Sequence, residues 1–224
     1  MRPRLLDLFC GAGGCSVGYH RAGFDVVGVD HQPMPRYPFE FIKSDALEYL
    51  AGHGKEFDAI HASPPCQAFS VATAVHGHAV RAKHPDLIAP CRDLLQETGY
   101  PWVIENVPGA PLRPHCIMLC GMMFGLRVLR HRWFESNILL LSPPHPRHPV
   151  GMLTNSKRAF DRGESRFVCV AGHNFSRSAG ESAMRIDWMG SRRELSQAIP
   201  PAYTEFIGQQ LIRALDFSIS DSDR

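Results

Sequence analysis

The sequence predicts an α/β fold: a doubly wound, mostly parallel sheet with a small irregular lobe attached. Three observations predict it. Short apolar strand patterns alternate with helix-length segments over the first half of the chain. The residues able to carry chemistry fall at the carboxyl ends of those strands, where open α/β sheets bind ligands. A stretch rich in Pro, His and Arg, from about 137 to 177, then breaks the alternation.

Leu5 to Phe9 reads as the first strand, and the glycine turn from Gly11 to Gly14 leads into a helix ending near Gly23. Phe24 to Asp30 is a second strand with an acid at its carboxyl end. Phe39 to Lys43 gives a third, closed by Asp45 and a short helix from Ala46 to Ala51. Phe57 to Ala62 is a fourth and delivers Ser63-Pro64-Pro65-Cys66 at its tip. Asp86 to Thr98 is helical in pattern, and Trp102 to Glu105 is a fifth strand. Between them, residues 67–85 show no clean period, and a loop that long beside a candidate nucleophile reads as a lid. Phe167 to Ala171 is strand-like. Pro200-Pro201 opens a helix running to about Leu215, since proline is tolerated in a first turn. The expected divisions are 1–136 for the main domain, 137–177 for the lobe, 178–217 for a segment returning to the main domain, and 218–224 for a polar tail.

Composition narrows the classes. The 224 residues suffice for one domain with a real core, and no apolar run reaches the length of a membrane span. The start carries no signal-peptide pattern, and seven cysteines without framework spacing read as reduced thiols of an intracellular, cytoplasmic protein. Net charge is +2, but residues 127–193 hold eleven Arg and one Lys against five acids. Such a bias suits phosphate and guanine edges as well as a merely solvated basic face. His115, Cys116, Cys120 and His131 invite a zinc reading, but Cys-x3-Cys without a second pair is poor spacing, so no metal is expected.

Several positions carry candidate chemistry. Gly11 and Gly13 fit the start of a dinucleotide fingerprint, but Ser16 stands where its third glycine belongs. Asp30 is placed for ribose hydroxyls and Asp45 for an adenine amino group, although both could simply cap the elements that follow. Without a lysine-bearing phosphate loop, the pattern fits an adenosine-bearing cofactor that lacks phosphates. Cys66 follows two stiffening prolines, and a nearby cation would raise its thiolate fraction. Glu105 follows three apolar residues, where desolvation raises a carboxyl pKa; the plainer alternative is a structural acid paired with an arginine. Arg130 and Arg132 alternate in strand fashion, which would point both guanidiniums to one face, towards Glu105 or a phosphate.

Taken in order, Asp7-Leu8-Phe9-Cys10-Gly11-Ala12-Gly13-Gly14, Val29-Asp30, Asp45, Pro64-Pro65-Cys66-Gln67, Glu105-Asn106-Val107, Arg130-x-Arg132 and Gln197-Ala198-Ile199-Pro200-Pro201 resemble the DNA (cytosine-5) methyltransferases over nearly the whole chain. Val128 and Gln197 depart from that family's usual Gln and Asn, and His31 stands where a larger stacking residue is common. The resemblance implies a Rossmann-like, class I S-adenosylmethionine-dependent fold with a recognition lobe much shorter than usual. It implies S-adenosyl-L-methionine as methyl donor, with Phe9 against the adenine, Asp30 on the ribose, and Asp45 and Ala46 at the adenine edge. Asp7, Gly11, Gly14, His31, Pro65, Gln197 and Ile199 would line the cofactor.

By the same resemblance, Cys66, Glu105, Arg130 and Arg132 are the catalytic set. The target cytosine would be flipped out of double-stranded DNA, attacked at C6 by Cys66 and methylated at C5. Gln67, Ser70 and Asn106 would contact DNA near the base. Arg147, Arg158, Arg162, Arg166 and Arg177 would read a short site of roughly two to four base pairs. A monomer of prokaryotic or viral origin is expected. The alternatives are a cytosine-5 methyltransferase acting on tRNA, a silent cofactor- and DNA-binding module, or a nicotinamide dehydrogenase that would account for the first loop alone.

Overall fold

Seven strands, β1 (Arg4–Leu8), β2 (Asp25–Asp30), β3 (Glu40–Lys43), β4 (Ala59–Ala62), β5 (Trp102–Asn106), β6 (Ile117–Leu119) and β7 (Arg132–Ser136), form one sheet in the order β3-β2-β1-β4-β5-β7-β6. The computed structural model describes residues 1–66, 69, 86–148, 153–154, 162, 167–172 and 175–222. β1 to β5 are mutually parallel, whereas β7 runs antiparallel to β5 and β6 antiparallel to β7. The antiparallel edge is not evident in the sequence because β6 is three residues long, too short to display a period.

Both faces of the parallel strands are covered, so their residues alternate between two cores rather than between core and water. Leu6, Leu8, Val27, Val29, Ile60, Ala62, Trp102 and Ile104 build one core beneath α2 (Ala46–His53) and α3 (Ile88–Thr98). Leu5, Val26, Ala59 and Val103 join the other core, beneath α1 (Gly14–Ala22) and α6 (Pro201–Ser222). α6 thus runs well beyond the end expected near Leu215. Two shorter helices, α4 (Arg177–Met184) and α5 (Arg192–Gln197), also pack on this side.

α1 and α6 lie very close together. A Cβ at Gly18 would collide with Thr204 Oγ1, so only glycine permits the approach, and Thr204 Oγ1 donates to the Cys15 carbonyl at 2.8 Å. The described part of 137–177 includes β8 (Leu153–Thr154) and β9 (Phe167–Val168), a two-stranded parallel pair. Phe167, Val168, Val170 and Phe175 are buried, the last three in the same core as α1 and α6, so this part of the segment does not stand apart as the sequence suggested. The expected lid at 67–85 lies outside the described residues apart from Phe69.

Candidate active site

The α1-facing side of the sheet carries a polar row in an otherwise apolar layer. Period-two alternation puts Asp7, His61 and Glu105 on the same face as Leu5, Ala59 and Val103. All three are buried, with Asp7 and His61 at 0% exposure and Glu105 at 5%. Buried polar groups need partners, and here a hydrogen-bonded series supplies most of them. Tyr19 Oη lies 2.9 Å from His61 Nδ1, and His61 Nε2 lies 2.9 Å from Ser63 Oγ. Ser63 in turn helps hold the Glu105 carboxylate down. Burial holds His61 neutral, with its pKa down to about 3. An Nε2-protonated imidazole then accepts from Tyr19 and donates to Ser63. Sequence reading missed His61 and Ser63; the signal was a histidine inside an apolar strand pattern.

Burial raises the Glu105 carboxyl above its ordinary range, while Arg132, Ser63 and Arg130 restrain the rise. Arg132 Nε lies 2.9 Å from Glu105 Oε1, yet that oxygen has no well-aligned hydrogen bond. Cys66 is half-buried at the end of the Pro64-Pro65 turn. Its thiol is pushed up, first by burial and then by Glu105; Arg132 and Arg130 offset only part of this. The cations expected beside it are present, but they do not make the resting thiol acidic. Asn106, expected to touch DNA, is 1% exposed. Its amide donates to the Pro64 carbonyl at 3.0 Å and its carbonyl accepts from Val107 N, so it braces the Cys66 turn instead.

Arg130 also departs from expectation. β7 begins only at Arg132, and Arg130 has a positive φ of 37°, so the two do not alternate along one strand. Arg130 donates to the carbonyls of Val170 and Ser196, both at 2.8 Å, and ties the lobe's root to α5. Burial, reinforced by Arg132, lowers its guanidinium to about 9, still charged at neutral pH.

Cys66, Glu105 and Arg132 share one cavity of about 590 Å³ with Asp7, Phe9, Gly14, Asp30, His31, Pro65, Gln197 and Ile199. It opens between β1 and β4, where the strand order reverses. Asp30 anchors the first loop by accepting from Gly11 N at 3.0 Å and Gln32 N at 2.9 Å. Phe9 holds φ 57°, a left-handed backbone that a bulky residue seldom adopts. Gly14 faces Ile199, whose carbonyl would lie 2.5 Å from an added Cβ. Ser16 uses the third-glycine position differently: its hydroxyl donates to Asp7 and accepts from Tyr37.

Gly11, Asp45 and Ala46 do not line this cavity. Asp45 accepts from Leu47 N and Glu48 N and caps α2, the plainer of its two readings. Ser191, Arg193, Glu194 and Ser196 line the cavity and were not singled out from sequence; they enter because α5 folds over its mouth.

A cationic ligand fits these walls. Burial pushes Asp7 up to about 7, and its Oδ1 is buried without a hydrogen-bond partner. An unsatisfied carboxylate oxygen on a cavity wall favours a positive group opposite it.

Of the arginines expected to read DNA, Arg147, Arg162 and Arg177 fall among the described residues. Arg147 is exposed, and Arg162 lies at an exposed turn. Arg177 is engaged with Glu181 at 2.6 Å and with the Gly190 carbonyl. Gln67, Ser70, Arg158 and Arg166 lie outside the described residues.

The model of the family described as C-5 cytosine-specific DNA methylase matches residues 3–115. The Type II methyltransferase M.XorII of Xanthomonas oryzae pv. oryzae is 40% identical over 86 residues, covering 31% of this chain and 20% of that protein. M.FnuDI of Fusobacterium nucleatum is 33% identical over 81 residues, covering 33% and 24%. The chain therefore spans about a quarter or less of these relatives' own lengths. Among solved structures, the Dnmt2 methyltransferase of S. pombe aligns with a TM-score of 0.63 at 13% identity, over 96% of this chain and 99% of that one. EhMeth of Entamoeba histolytica aligns with a TM-score of 0.57 at 12% identity and the same coverage. These two likenesses establish a Rossmann-like fold shared with methyltransferases. The family match covers half of the chain and runs from β1 past β5, through Asp7, Asp30, Cys66 and Glu105, which meet in or around one cavity. This chain belongs to the C-5 cytosine-specific DNA methylase family.

Proposed function

We propose that the protein transfers a methyl group from S-adenosyl-L-methionine to carbon 5 of cytosine in double-stranded DNA. The observation that carries this reading is that Cys66 and Glu105 open into the same cavity as Asp7, whose Oδ1 has no hydrogen-bond partner. A thiol, a protonatable acid and a cation-seeking wall in one space suit attack on a pyrimidine ring beside a cationic donor.

The cofactor, when bound, supplies an electrophilic methyl group. The protein's own residues do the rest. Asp7 and Asp30 would orient the donor, and Phe9 would pack against its adenine. Cys66 loses its proton and its sulfur bonds to C6 of a flipped-out cytosine, while Glu105 holds a proton at N3. Electron density then rises at C5, which takes the methyl group. Loss of the C5 proton and cleavage of the S–C6 bond restore the aromatic ring and the free thiol. Arg132 restrains Glu105 and attracts the thiolate. Burial raises both the Cys66 thiol and the Glu105 carboxyl, so each holds its proton more tightly than in water. Thiolate formation is therefore expected to follow base entry.

The test is methyl incorporation from labelled donor into duplex DNA and into tRNA, followed by bisulfite sequencing of the DNA. Methylation at C5 of cytosine in DNA is expected. Transfer confined to tRNA, or donor binding with no transfer to either, would replace this reading.

A further inference from the structure

Outside the cavity, on the β6–β7 edge of the sheet, four side chains converge that the reaction does not use. They are Cys120, His131, His145 and His148, and one potential ligand atom from each lies within 4.8 Å of all the others. Cys120 follows β6 and is fully buried. His131 immediately precedes β7, and His145 and His148 come from the segment that leaves β7 for the lobe. We propose that these four residues form a closed, tetrahedral structural zinc site.

The geometry supports this beyond mere proximity. Cys120 Sγ lies 3.3 Å from His148 Nε2, and His131 Nε2 lies 3.2 Å from His145 Nε2. Zinc bonds of about 2.3 Å to sulfur and about 2.0 to 2.1 Å to nitrogen place tetrahedral ligands roughly 3.3 to 3.6 Å apart. Two of the pairs are therefore at the separation of neighbouring tetrahedral ligands, and all four atoms lie within 4.8 Å of one another. Thiolate plus three imidazoles is a zinc donor set, and four protein ligands leave no open position for catalysis. Sequence reading grouped Cys120 and His131 with His115 and Cys116 and expected no metal, because His145 and His148 reach Cys120 only once the chain has crossed the sheet edge.

The consequence is mechanical. His131 sits between Arg130, which ties the lobe's root to α5, and Arg132, which faces Glu105. A metal here would fasten the segment leaving β7 to the strand that carries Arg132.

The experiment measures zinc in the full-length protein purified without chelator, together with the visible absorption after cobalt exchange. One zinc per chain and the spectrum of a tetrahedral cobalt–thiolate site are expected. Both should be lost in Cys120→Ala and in the exposed-side variant His145→Gln/His148→Gln, while Cys116→Ala keeps them. Circular dichroism and S-adenosylmethionine binding on the double variant separate metal loss from unfolding. Chelation should lower the melting temperature of the parent but not of the double variant. Absence of zinc and of cobalt uptake in the parent would overturn the proposal. So would zinc retained by the double variant, which would place the metal on other histidines.

Discussion

Arg132 and Glu105 face each other from antiparallel neighbours in the sheet, with Nε 2.9 Å from Oε1 and both side chains largely withdrawn from water. The ion pair works against burial: desolvation raises the carboxyl, and the guanidinium restrains it. Arg132 restrains the Cys66 thiol in the same way. One cation therefore tunes both the acid and the nucleophile.

Arg132→Gln should raise both pKa values together. With less thiolate at neutral pH, single-turnover methylation should fall by at least about tenfold, the effect of a thiol whose pKa lies one higher. The loss should shrink as pH rises, because the thiol is then ionised without help. A variant whose pH–rate profile parallels the parent's would show that Arg132 only shapes the pocket.

Cys66→Ser should abolish methyl transfer while cofactor affinity, measured by calorimetry, stays within a few-fold. Serine keeps size and polarity but forms no anion at accessible pH. With 5-fluorocytosine at the target, the parent should yield a denaturation-resistant adduct at Cys66, since fluorine cannot leave as a cation. Turnover by the serine variant would remove the covalent step.

Glu105→Gln should slow chemistry by about 10² to 10⁴, the usual range for loss of acid–base help, with little change in DNA affinity. An amide still hydrogen-bonds the base but brings no proton to N3. Equal losses in rate and affinity would recast Glu105 as a positioning group.

Asp7 provides a test with a defined sign. Its pKa is raised from 3.8 to about 7 by burial, so a cationic ligand must first draw off its proton below neutrality. Donor affinity should climb between about pH 6 and 7 and level off above, and Asp7→Asn should flatten that dependence. In the free protein a raised carboxyl favours folding fully below 3.8, and the benefit is lost as pH rises through 7. Asp7→Asn should therefore gain stability relative to the parent as pH rises from about 4 to about 7. His61, lowered to about 3, acts oppositely: its contribution is complete above 6.5 and is lost as pH falls towards 3.

Glu135 should prove structural. It is 2% exposed, accepts from Arg92 Nε and Nη2 at 2.6 and 2.7 Å, and also accepts from Arg113 N. Glu135→Ala leaves the part-buried Arg92 guanidinium with only the Pro111 carbonyl, which should cost about 1 to 3 kcal/mol. Denaturant midpoints would show the loss, with the cofactor site intact in the folded fraction.

What the sequence revealed followed a physical rule. Asp30, Cys66 and Glu105 were legible because strand ends in an α/β sheet converge, so local pattern already implied shared space. Asp45 and Asn106 were misread because their short polar side chains are used by the nearest backbone: two helix-start amides in one case, the Pro64 carbonyl in the other. Arg130 was misread because one left-handed backbone residue cancels strand alternation, and nothing in Leu129-Arg130-His131 announces it. Ser191 to Ser196 were invisible as wall residues because α5 reaches the cavity by tertiary docking alone, helped by Trp188 Nε1 donating to the Ala12 carbonyl at 2.8 Å.

The contact between Gly14 and Ile199, like that between Gly18 and Thr204, joins stretches made far apart in time during synthesis. A nascent chain can pair β1 with β4 and β5 on the ribosome while one wall of its cavity is still being translated. α5 and the stretch from Gln197 to Ile199 then close the site as a keystone closes an arch. Until that wall docks, the thiol and the acid stand in an open trough.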